Sequence, residues 1–154
     1  MKLNYKITET DFIPFEFQKG EVKHNIEVKF DYPTIEQDYK LKQLVNVIFL
    51  KYPNIIPEKD KDGKEIKVIE YSPEQKADAD TMFLRYREYY LKCVIKDIKG
   101  ITDSEGNNIQ VNIINDELEY KLWSAIMRYL GNNCIDLFIL AQKELEINDL
   151  DKKK

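Results

Sequence analysis

Histidine and cysteine, the side chains that most often supply metal ligands, nucleophiles and proton carriers, are scarce in this chain of 154 residues. His24 is the only histidine, and Cys93 and Cys134 are the only cysteines. A catalytic triad or a zinc site needs several such side chains at matched positions, and these three lie far apart in the sequence. We therefore predict that His24 is a half-buried strand residue with a local hydrogen bond, and that both cysteines are reduced and pack in the core.

Acidic residues are abundant, but their spacing favours structural roles. Segment 58–63 matches four of the first six positions of an EF-hand calcium loop, yet Ile69 occupies the position where that loop needs a bidentate glutamate. Asp78 and Asp80 form a carboxylate pair in the first turns of a predicted helix, where negative charge suits the helix dipole. Phosphate-binding glycine loops, nucleophile elbows and metalloprotease motifs are missing from the sequence. We expect no catalytic residue, no cofactor, no metal site and no enzymatic activity.

Charge and hydropathy narrow the classes of partner. The formal net charge is −4 and the sequence pI is about 5.2, with basic residues dispersed rather than gathered in a stripe, so nucleic acid is not an expected partner. No apolar run approaches the roughly 20 residues of a membrane span, and the first five residues do not open a signal peptide. With 43% hydrophobic residues the chain is expected to fold, and two cysteines are too few for a disulfide framework, which favours a cytosolic protein.

The elements that would position these side chains begin with strands. Residues of one parity in segment 22–30 are Val22, His24, Ile26, Val28 and Phe30, and the intervening residues are polar, which predicts a strand with one buried face. Segment 15–17 alternates in the same way, so we predict an antiparallel hairpin with its turn near 18–20. Segment 1–8 can add an edge strand.

Helical periodicity follows in four segments. The first predicted helix, from about Thr34 to Lys51, is apolar nearly all round and is therefore expected to be buried on more than one side. The second starts at a capping box, 72–75, and ends near Val94. The third is capped at 115–117 and ends at Leu130, and the fourth covers about 133–146. The predicted core faces of the last three are Ala79, Met82, Phe83, Tyr86, Tyr90, Cys93 and Val94; Leu118, Leu122, Ala125, Ile126 and Tyr129; and Cys134, Leu137, Phe138, Ala141 and Leu145.

The predicted fold is α+β, with an N-terminal antiparallel hairpin or small sheet packed against about four helices. Residues 1–147 are predicted to form a single domain, with 54–72 as a surface insertion containing a charged turn and a short strand near 66–69. Segment 97–109 is predicted to be a tight loop or short hairpin, because glycine and Asp-Ser-Glu-Gly-Asn-Asn favour turns. Segment 148–154 is predicted to be a disordered tail.

Several large apolar side chains lie off the predicted core faces of the second and third helices. In one interpretation both sides of these helices are core. In the other, the off-face residues form an exposed aromatic and methionine patch for a protein partner, since interfaces are enriched in such residues. The candidate partner-binding residues are Leu84, Leu91, Tyr120, Trp123 and Met127.

One segment resembles a known family. Leu91 to Ile109 contains Gly100-Ile101-x-Asp103-x-x-Gly106 and is followed by an acidic-capped helix, which is similar to small tail assembly chaperone-like and related tail-module proteins of tailed bacteriophages. In those proteins a helix runs into a short "GI-x-D-x-x-G" turn, an apolar strand and C-terminal helices. The resemblance covers about 21–52 and 83–146.

The resemblance implies a non-enzymatic virion-assembly protein in the cytoplasm of a bacterial host. Its partner would be the tape-measure or another tail protein, held through apolar helix surface. Two alternatives are a small phage-encoded inhibitor of a host defence enzyme and a structural head–tail connector that stays in the virion. Homo-oligomer formation is left open.

Overall fold

The computed structural model describes residues 11–66 and 69–152, with the side chains of 147–152 left out. The predicted edge strand at 1–8 lies outside the described residues, as does part of the predicted strand near 66–69. Contacts group the chain into two compact units, Met1–Thr34 with Tyr90–Lys154, and Ile35–Tyr89. The prediction of one domain over 1–147 stays a prediction.

The described residues combine helices with an N-terminal antiparallel sheet, which confirms the α+β class. In chain order the strands are β1 (Ile13–Lys19), β2 (Val22–Phe30), β3 (Glu58–Lys59), β4 (Glu65–Ile66), β5 (Ile95–Lys99), β6 (Ile113–Ile114) and β7 (Glu117–Leu118). The helices are α1 (Ile35–Lys51), α2 (Pro73–Val94), α3 (Tyr120–Leu130) and α4 (Cys134–Lys152), with a 3₁₀ turn at Gly131–Asn133 between the last two.

The sheet of the first unit has the strand order β1-β2-β5, and both pairings are antiparallel. Lys19 pairs with Val22, so Gly20 and Glu21 form a two-residue turn, and Gly20 has the positive φ of 65° that its first position needs. The predicted hairpin is therefore confirmed. Alternation buries one face of the strands; the buried side chains are Phe15, Phe17, Ile26, Val28 and Phe30. The prediction is wrong for Val22, which is exposed beside the turn.

Strand β5 is not among the elements predicted from the sequence, where 97–109 is interpreted as one loop or hairpin. The register shifts by one residue at Lys29 and Phe30, which pair with Asp97 and Ile95. This bulge breaks the period of two, because it leaves Ile95 and Ile98 as the buried residues of β5. The rest of the segment is the predicted short hairpin, with a bridge between Thr102 and Asn108.

Two hairpin loops use the same aspartate-anchored turn, one in each unit. The Asp60 carboxylate accepts hydrogen bonds from the backbone N–H groups of Asp62 and Lys64, both at 2.9 Å. The Asp103 carboxylate accepts the equivalent bonds at 2.9 and 3.0 Å. In each loop the third residue after the aspartate is a glycine with positive φ, 80° and 82°. Local hydrogen bonding of this kind makes the loops self-contained.

The third helix begins later than predicted. Asn115 and Asp116 have φ of 51° and 61° and form the turn between β6 and β7, so the prediction that they cap the helix is wrong. Positive φ at both positions is the requirement of a type I′ hairpin turn, which Asn and Asp tolerate. The actual cap is Glu119, whose carboxylate accepts N–H bonds from Lys121 and Leu122. These two hydrogen bonds hold the pKa of Glu119 below its usual value.

Helix α4 has the predicted buried face, since Cys134, Leu137, Phe138, Ala141 and Leu145 are all buried. Its backbone continues to Lys152, past the predicted end near Glu146 and into the segment 148–154 that is predicted to be a tail.

In the second unit, α1 ends at Lys51 and α2 starts at Pro73. The predicted capping box is confirmed: Gln75 donates its N–H to the Ser72 hydroxyl at 3.1 Å, and Ser72 donates its N–H to the Gln75 side chain at 2.8 Å. The buried residues of α1 are Gln37, Leu41 and Ile48. Their spacings of four and seven residues correspond to one and two helical turns, so they lie on a single buried side.

Candidate functional site

The predicted partner-binding residues are distributed between the core and the surface. Leu91 and Trp123 are buried, which corrects the interpretation that they are exposed. Met127 is half-buried and lies 3.4 Å from the Cys134 sulfur. Leu84 and Tyr120 are exposed. Leu84 belongs to the second unit and the other four to the first, so within either unit no exposed patch of these residues is formed.

The buried stripe of α3 explains the change for Trp123. Trp123, Ile126 and Leu130 are spaced by three and four residues and are all buried. The predicted stripe includes Ala125 and Tyr129, but Ala125 is exposed. Burying the indole with two branched aliphatic side chains removes more apolar area from water than burying Ala125, so the register with Trp123 inside is favoured.

Helix α1 carries the two most exposed large apolar side chains among the residues whose burial the structure describes. Ile35 is 91% exposed and Leu50 is 80% exposed, although both are large aliphatic residues. Ile35, Tyr39, Asn46 and Leu50 recur at intervals of four, seven and four residues, which places them on one side of the helix. We define the outer face of α1 as the exposed apolar residues Ile35, Tyr39, Val47 and Leu50 together with the exposed polar residues Glu36, Lys42, Gln43 and Asn46.

The opposite side of α1 is the buried one, so the prediction that this helix is buried on more than one side is wrong for the chain by itself. Contacts within the second unit hold α1 against α2. The Phe49 and Phe83 rings meet edge to face at 6.2 Å, and the Lys40 ammonium lies 4.5 Å from the Tyr89 ring centre. The outer face lies opposite the buried residues Gln37, Leu41 and Ile48, and Phe49 and Lys40 lie at its two edges.

A small polar cluster fixes the C-terminal end of α1 to α2. Lys51 and Tyr52 both donate hydrogen bonds to the Asp78 carboxylate, at 2.8 and 2.5 Å. These donors hold the pKa of Asp78 below its usual value. The hydrogen bond that Tyr52 donates to Asp78 also raises the pKa of the Tyr52 phenol. Tyr71 packs edge-on against Tyr52 and donates its hydroxyl to the Pro53 carbonyl. Because the polar groups of the cluster bind one another, we assign it a structural role.

A cleft of about 830 Å³ lies in the second unit between α2 and residues of 54–57, 65 and 69–71. Its walls mix apolar residues with three carboxylates and two cations, which gives it no single charge preference. The Arg87 Nε is buried and has no hydrogen-bond partner among the described residues. The residues that line the cleft include Ile55, Ile56, Ile69, Phe83, Glu65, Glu70, Asp80, Lys76 and Arg87.

His24 is half-buried on β2, as predicted, but its hydrogen bond is not local. The Tyr129 hydroxyl lies 3.0 Å from its Nδ1, and the Phe17 ring stacks on the imidazole at 5.2 Å. Lys19 donates to the Tyr129 carbonyl at 3.2 Å and so ties the same hairpin to α3. The contacts of His24 therefore connect the hairpin to the helix, which is a structural role.

Neither a cluster of metal-ligating side chains nor a membrane-spanning helix is found in residues 11–66 and 69–152. Cys93 and Cys134 are both buried and are not joined in a disulfide, as predicted. Groups of three or more His, Cys, Asp or Glu side chains able to hold a metal ion do not occur among the described residues. In the EF-hand-like segment the Asp60 carboxylate is occupied by backbone N–H groups. Within the described chain, no helix combines the length and apolarity needed to cross a bilayer.

The outer face is not among the candidate sites predicted from the sequence, although its residues are visible there. A helix that is apolar nearly all round is expected to be buried on several sides, but the same pattern also fits a helix that leaves one apolar side exposed. Because hydropathy alone does not distinguish the two, only the packing of α1 identifies which side is free.

Comparison with known proteins gives no relative. No protein-family model matches the chain. No curated protein sequence and no solved structure matches it either.

Proposed function

We propose that this chain is a non-catalytic protein-binding protein, and that it holds an apolar segment of its partner against the outer face of α1. The observation that carries the proposal is the exposure of Ile35, Tyr39, Val47 and Leu50 along one side of one helix, between 52% and 91%. Large apolar side chains exposed together along one side of a helix are typical of a site that a partner covers. A helix laid along such a face would bury it in the manner of other helix-binding proteins.

The sequence resemblance to phage tail assembly chaperone-like proteins supports a more specific form of the proposal. In that form the chain works in the bacterial cytoplasm and keeps a tape-measure or other tail protein soluble until the tail assembles. The candidate residues Leu84 and Tyr120 retain exposed surface for this role, whereas Leu91 and Trp123 are buried.

The test is co-expression with the tape-measure protein of the same genome, with the soluble fraction of that protein as the readout. Leu50→Glu places a charge in the outer face, and we expect it to remove most of the solubilising effect. Ile139→Glu is the matched control, because Ile139 is an exposed aliphatic residue on α4, outside the face. Circular dichroism establishes that both variants are folded. Equal solubilisation by Leu50→Glu and the wild-type chain would contradict the proposal.

A further inference from the structure

One side of α2 lines the cleft of the second unit and carries a cation at each end. The residues of this side are spaced by four, three and four positions; they are Lys76, Asp80, Phe83 and Arg87. Lys76 and Arg87 are about 16 Å apart along the helix axis, and Asp80 lies one turn from Lys76 but about 10 Å from Arg87. The acidic residue of this side therefore lies near Lys76, and Arg87 has the Phe83 ring as its neighbour.

Arg87 has no counter-ion among the residues that the structure describes. Its Nε is buried without a hydrogen-bond partner, and its guanidinium forms no ion pair with a described carboxylate. The positions three and four residues away along α2 are occupied by Phe83, Leu84, Tyr90 and Leu91. None of them is acidic, so α2 itself cannot supply an ion pair. Because a buried donor without an acceptor carries a desolvation cost, this side chain favours a ligand that brings one.

The other charged residues of the cleft limit the charge of such a ligand. Glu65, Glu70 and Asp80 line the cleft and are exposed, so they place three negative charges beside the two cations Lys76 and Arg87. A phosphate group with up to two negative charges would be repelled by them more than a single carboxylate. The planar fork of a guanidinium also matches a carboxylate in two parallel N–H···O bonds. A monovalent carboxylate is therefore the anion that fits.

Apolar side chains determine what the carboxylate is attached to. Ile56 and Ile69 line the cleft and are 60% and 45% exposed, and Ile55 and Phe83 line it with half-buried side chains. A hydrocarbon group placed against them would remove apolar surface from water. The volume of about 830 Å³ lies within the roughly 300–1,000 Å³ of small-ligand pockets. The cleft therefore has room for a branched or aromatic group beside the charge.

We propose that this cleft binds a single carboxylate joined to a branched or aromatic hydrocarbon group, and that Arg87 holds the carboxylate. Rotation about the terminal bonds of the Arg87 side chain turns Nε–H toward the ligand, so that Nε–H and one Nη–H donate to its two oxygens. The site goes beyond the proposed function and does not depend on it, because it contains no residue of the outer face. Polypeptide C-termini, acidic side chains beside apolar residues and small carboxylic acids all carry this chemistry.

Titration of the nitrogen-15-labelled chain with 4-methylpentanoate, followed by NMR at the arginine Nε–Hε groups, tests the proposal. The chain has three arginines, Arg85, Arg87 and Arg128, and Arg87→Lys identifies the signal that belongs to Arg87. We expect that signal to shift and to saturate, with a dissociation constant in about the millimolar range because the probe is small. The neutral 4-methylpentanamide, acetate and inorganic phosphate should each bind at least about fivefold more weakly.

Substitutions at Arg87 test its role, with the backbone amides of Ile56 and Ile69 as the NMR readout. Arg87→Met keeps an unbranched side chain without the guanidinium and should weaken binding of 4-methylpentanoate at least about tenfold. Arg87→Lys keeps the charge but loses the fork, and should weaken binding at least about threefold. Arg85→Met is the matched control, because Arg85 is exposed on α2 and does not line the cleft; it should leave the dissociation constant unchanged.

The apolar part of the site has its own test. Ile56→Ser should weaken binding of 4-methylpentanoate at least about threefold and leave the binding of acetate unchanged, since acetate has almost no hydrocarbon to bury. Equal weakening of both probes would mean that Ile56 acts on the carboxylate, and the assignment of the apolar wall would be wrong.

Stability of the free chain gives a readout that needs no ligand. Because the Arg87 guanidinium has no described acceptor, Arg87→Met should not lower the midpoint of urea unfolding, and circular dichroism establishes that this and every other variant is folded. A clearly lower midpoint would show that the guanidinium is already paired within the chain, which would contradict the inference.

Two further probes separate the sources of the carboxylate. N-acetyl-leucine carries a free C-terminal carboxylate, and N-acetyl-leucyl-glutamyl-leucine amide carries only the carboxylate of its glutamate side chain. Tighter binding of the first assigns the site to a polypeptide C-terminus, and tighter binding of the second assigns it to an acidic side chain. If neither exceeds 4-methylpentanoate, a small carboxylic acid is the occupant.

Three results of the titrations would overturn the inference. They are an Arg87 signal that does not shift to saturation, a neutral amide that binds as well as the carboxylate, and inorganic phosphate that binds more tightly than 4-methylpentanoate. Leu50→Glu, which lies outside the cleft, should bind 4-methylpentanoate like the wild-type chain whether or not it solubilises the tape-measure protein. Failure of the carboxylate site and failure of the proposed function are thus observed separately.

Discussion

Gly100, which follows β5, lies where both the backbone conformation and the available space favour a residue without a side chain. Gly100 has a φ of 99°, and a Cβ added there would lie 3.0 Å from the Asn25 carbonyl oxygen and 3.3 Å from the Ile26 Cα. The backbone of β2 therefore occupies the space that a side chain would need. Gly106 has a similar φ of 82° but open space around it. Of these two glycines, only Gly100 combines a conformational requirement with a steric one.

We predict that Gly100→Ala destabilises the fold by at least about 1 kcal/mol more than Gly106→Ala, which costs about 1–2 kcal/mol through positive φ alone. The measurement is the free energy of unfolding in urea. Equal costs for the two substitutions would mean that β2 moves aside and that the close approach is not a constraint.

Asp78 gives a pH dependence to stability. Because its pKa is lowered in the folded chain, it stabilises the fold above the pKa of the unfolded carboxyl, about 4, and the contribution is lost as the pH falls through the lower folded value. When the pH is lowered from about 5 to about 2, the free energy of unfolding of Asp78→Asn should therefore fall less than that of the wild-type chain.

Unfolding free energies in urea at a series of pH values measure this slope. Tyr52→Phe, which removes one of the two donors to Asp78, should give an intermediate slope. If Asp78→Asn and the wild-type chain lose stability in parallel, the hydrogen bonds from Lys51 and Tyr52 do not favour the ionised carboxyl.

At the scale of elements, α1 has two apolar sides with opposite environments. Ile48 is 1% exposed and Leu50, two residues later, is 80% exposed. We predict that Ile48→Ala lowers the free energy of unfolding by about 3 kcal/mol, whereas Leu50→Ala changes it by less than about 0.5 kcal/mol when the protein is dilute enough to be monomeric. Comparable losses for both would indicate that Leu50 is covered in the isolated chain, and the outer face would then be a core face.

The elements differ in how far the sequence predicts them. The face of α4 and the capping box of α2 are predictable to the residue, because their signals are local and their periods unbroken. Strand β5 is not predictable in this way, because the register shift between β2 and β5 at Lys29 and Phe30 breaks the alternation of buried and exposed residues along β5. Asn and Asp are favoured both at helix caps and in type I′ turns, so the residue types of Asn115 and Asp116 do not distinguish the two structures. Only their backbone angles do.

The candidate site is predictable only in kind. The sequence indicates that apolar helix surface exceeds what one small chain needs for its core, and the structure locates exposed surface of that kind on α1. Trp123 shows why the position is not predictable: two registers of α3 bury a plausible stripe, and the choice depends on packing with residues distant in sequence. Long-range contacts of this kind have no counterpart in a hydropathy pattern.

For the whole molecule, the prediction of a single domain can be tested with Trp123. It is the only tryptophan, it is buried, and it reports on the first unit, whereas far-UV circular dichroism reports on the helices of both units. Helix α2 runs without a break from Pro73 to Val94 and so belongs to both. We predict that urea unfolding gives the same midpoint by fluorescence and by circular dichroism, because a continuous helix couples the residues it contains.

Separate midpoints would show that the units unfold independently, and residues 1–147 would then be two domains. The same fluorescence signal has a further use in the folded state. Because the indole is only 8% exposed, its emission should lie at shorter wavelength than in the unfolded chain, so a red-shifted folded spectrum would place Trp123 at the surface.

The aspartate-anchored loops at 60–64 and 103–107 have a practical consequence for experiments on this protein. Each loop closes through hydrogen bonds from its own backbone to its own carboxylate, and Lys61 and Ser104 are exposed residues of the two loops. Because these hydrogen bonds restrain each turn, we expect a fluorophore or spin label attached at either position to follow the motion of its own unit. The two loops thus provide one attachment point in each unit, from which distances between the units can be measured in solution.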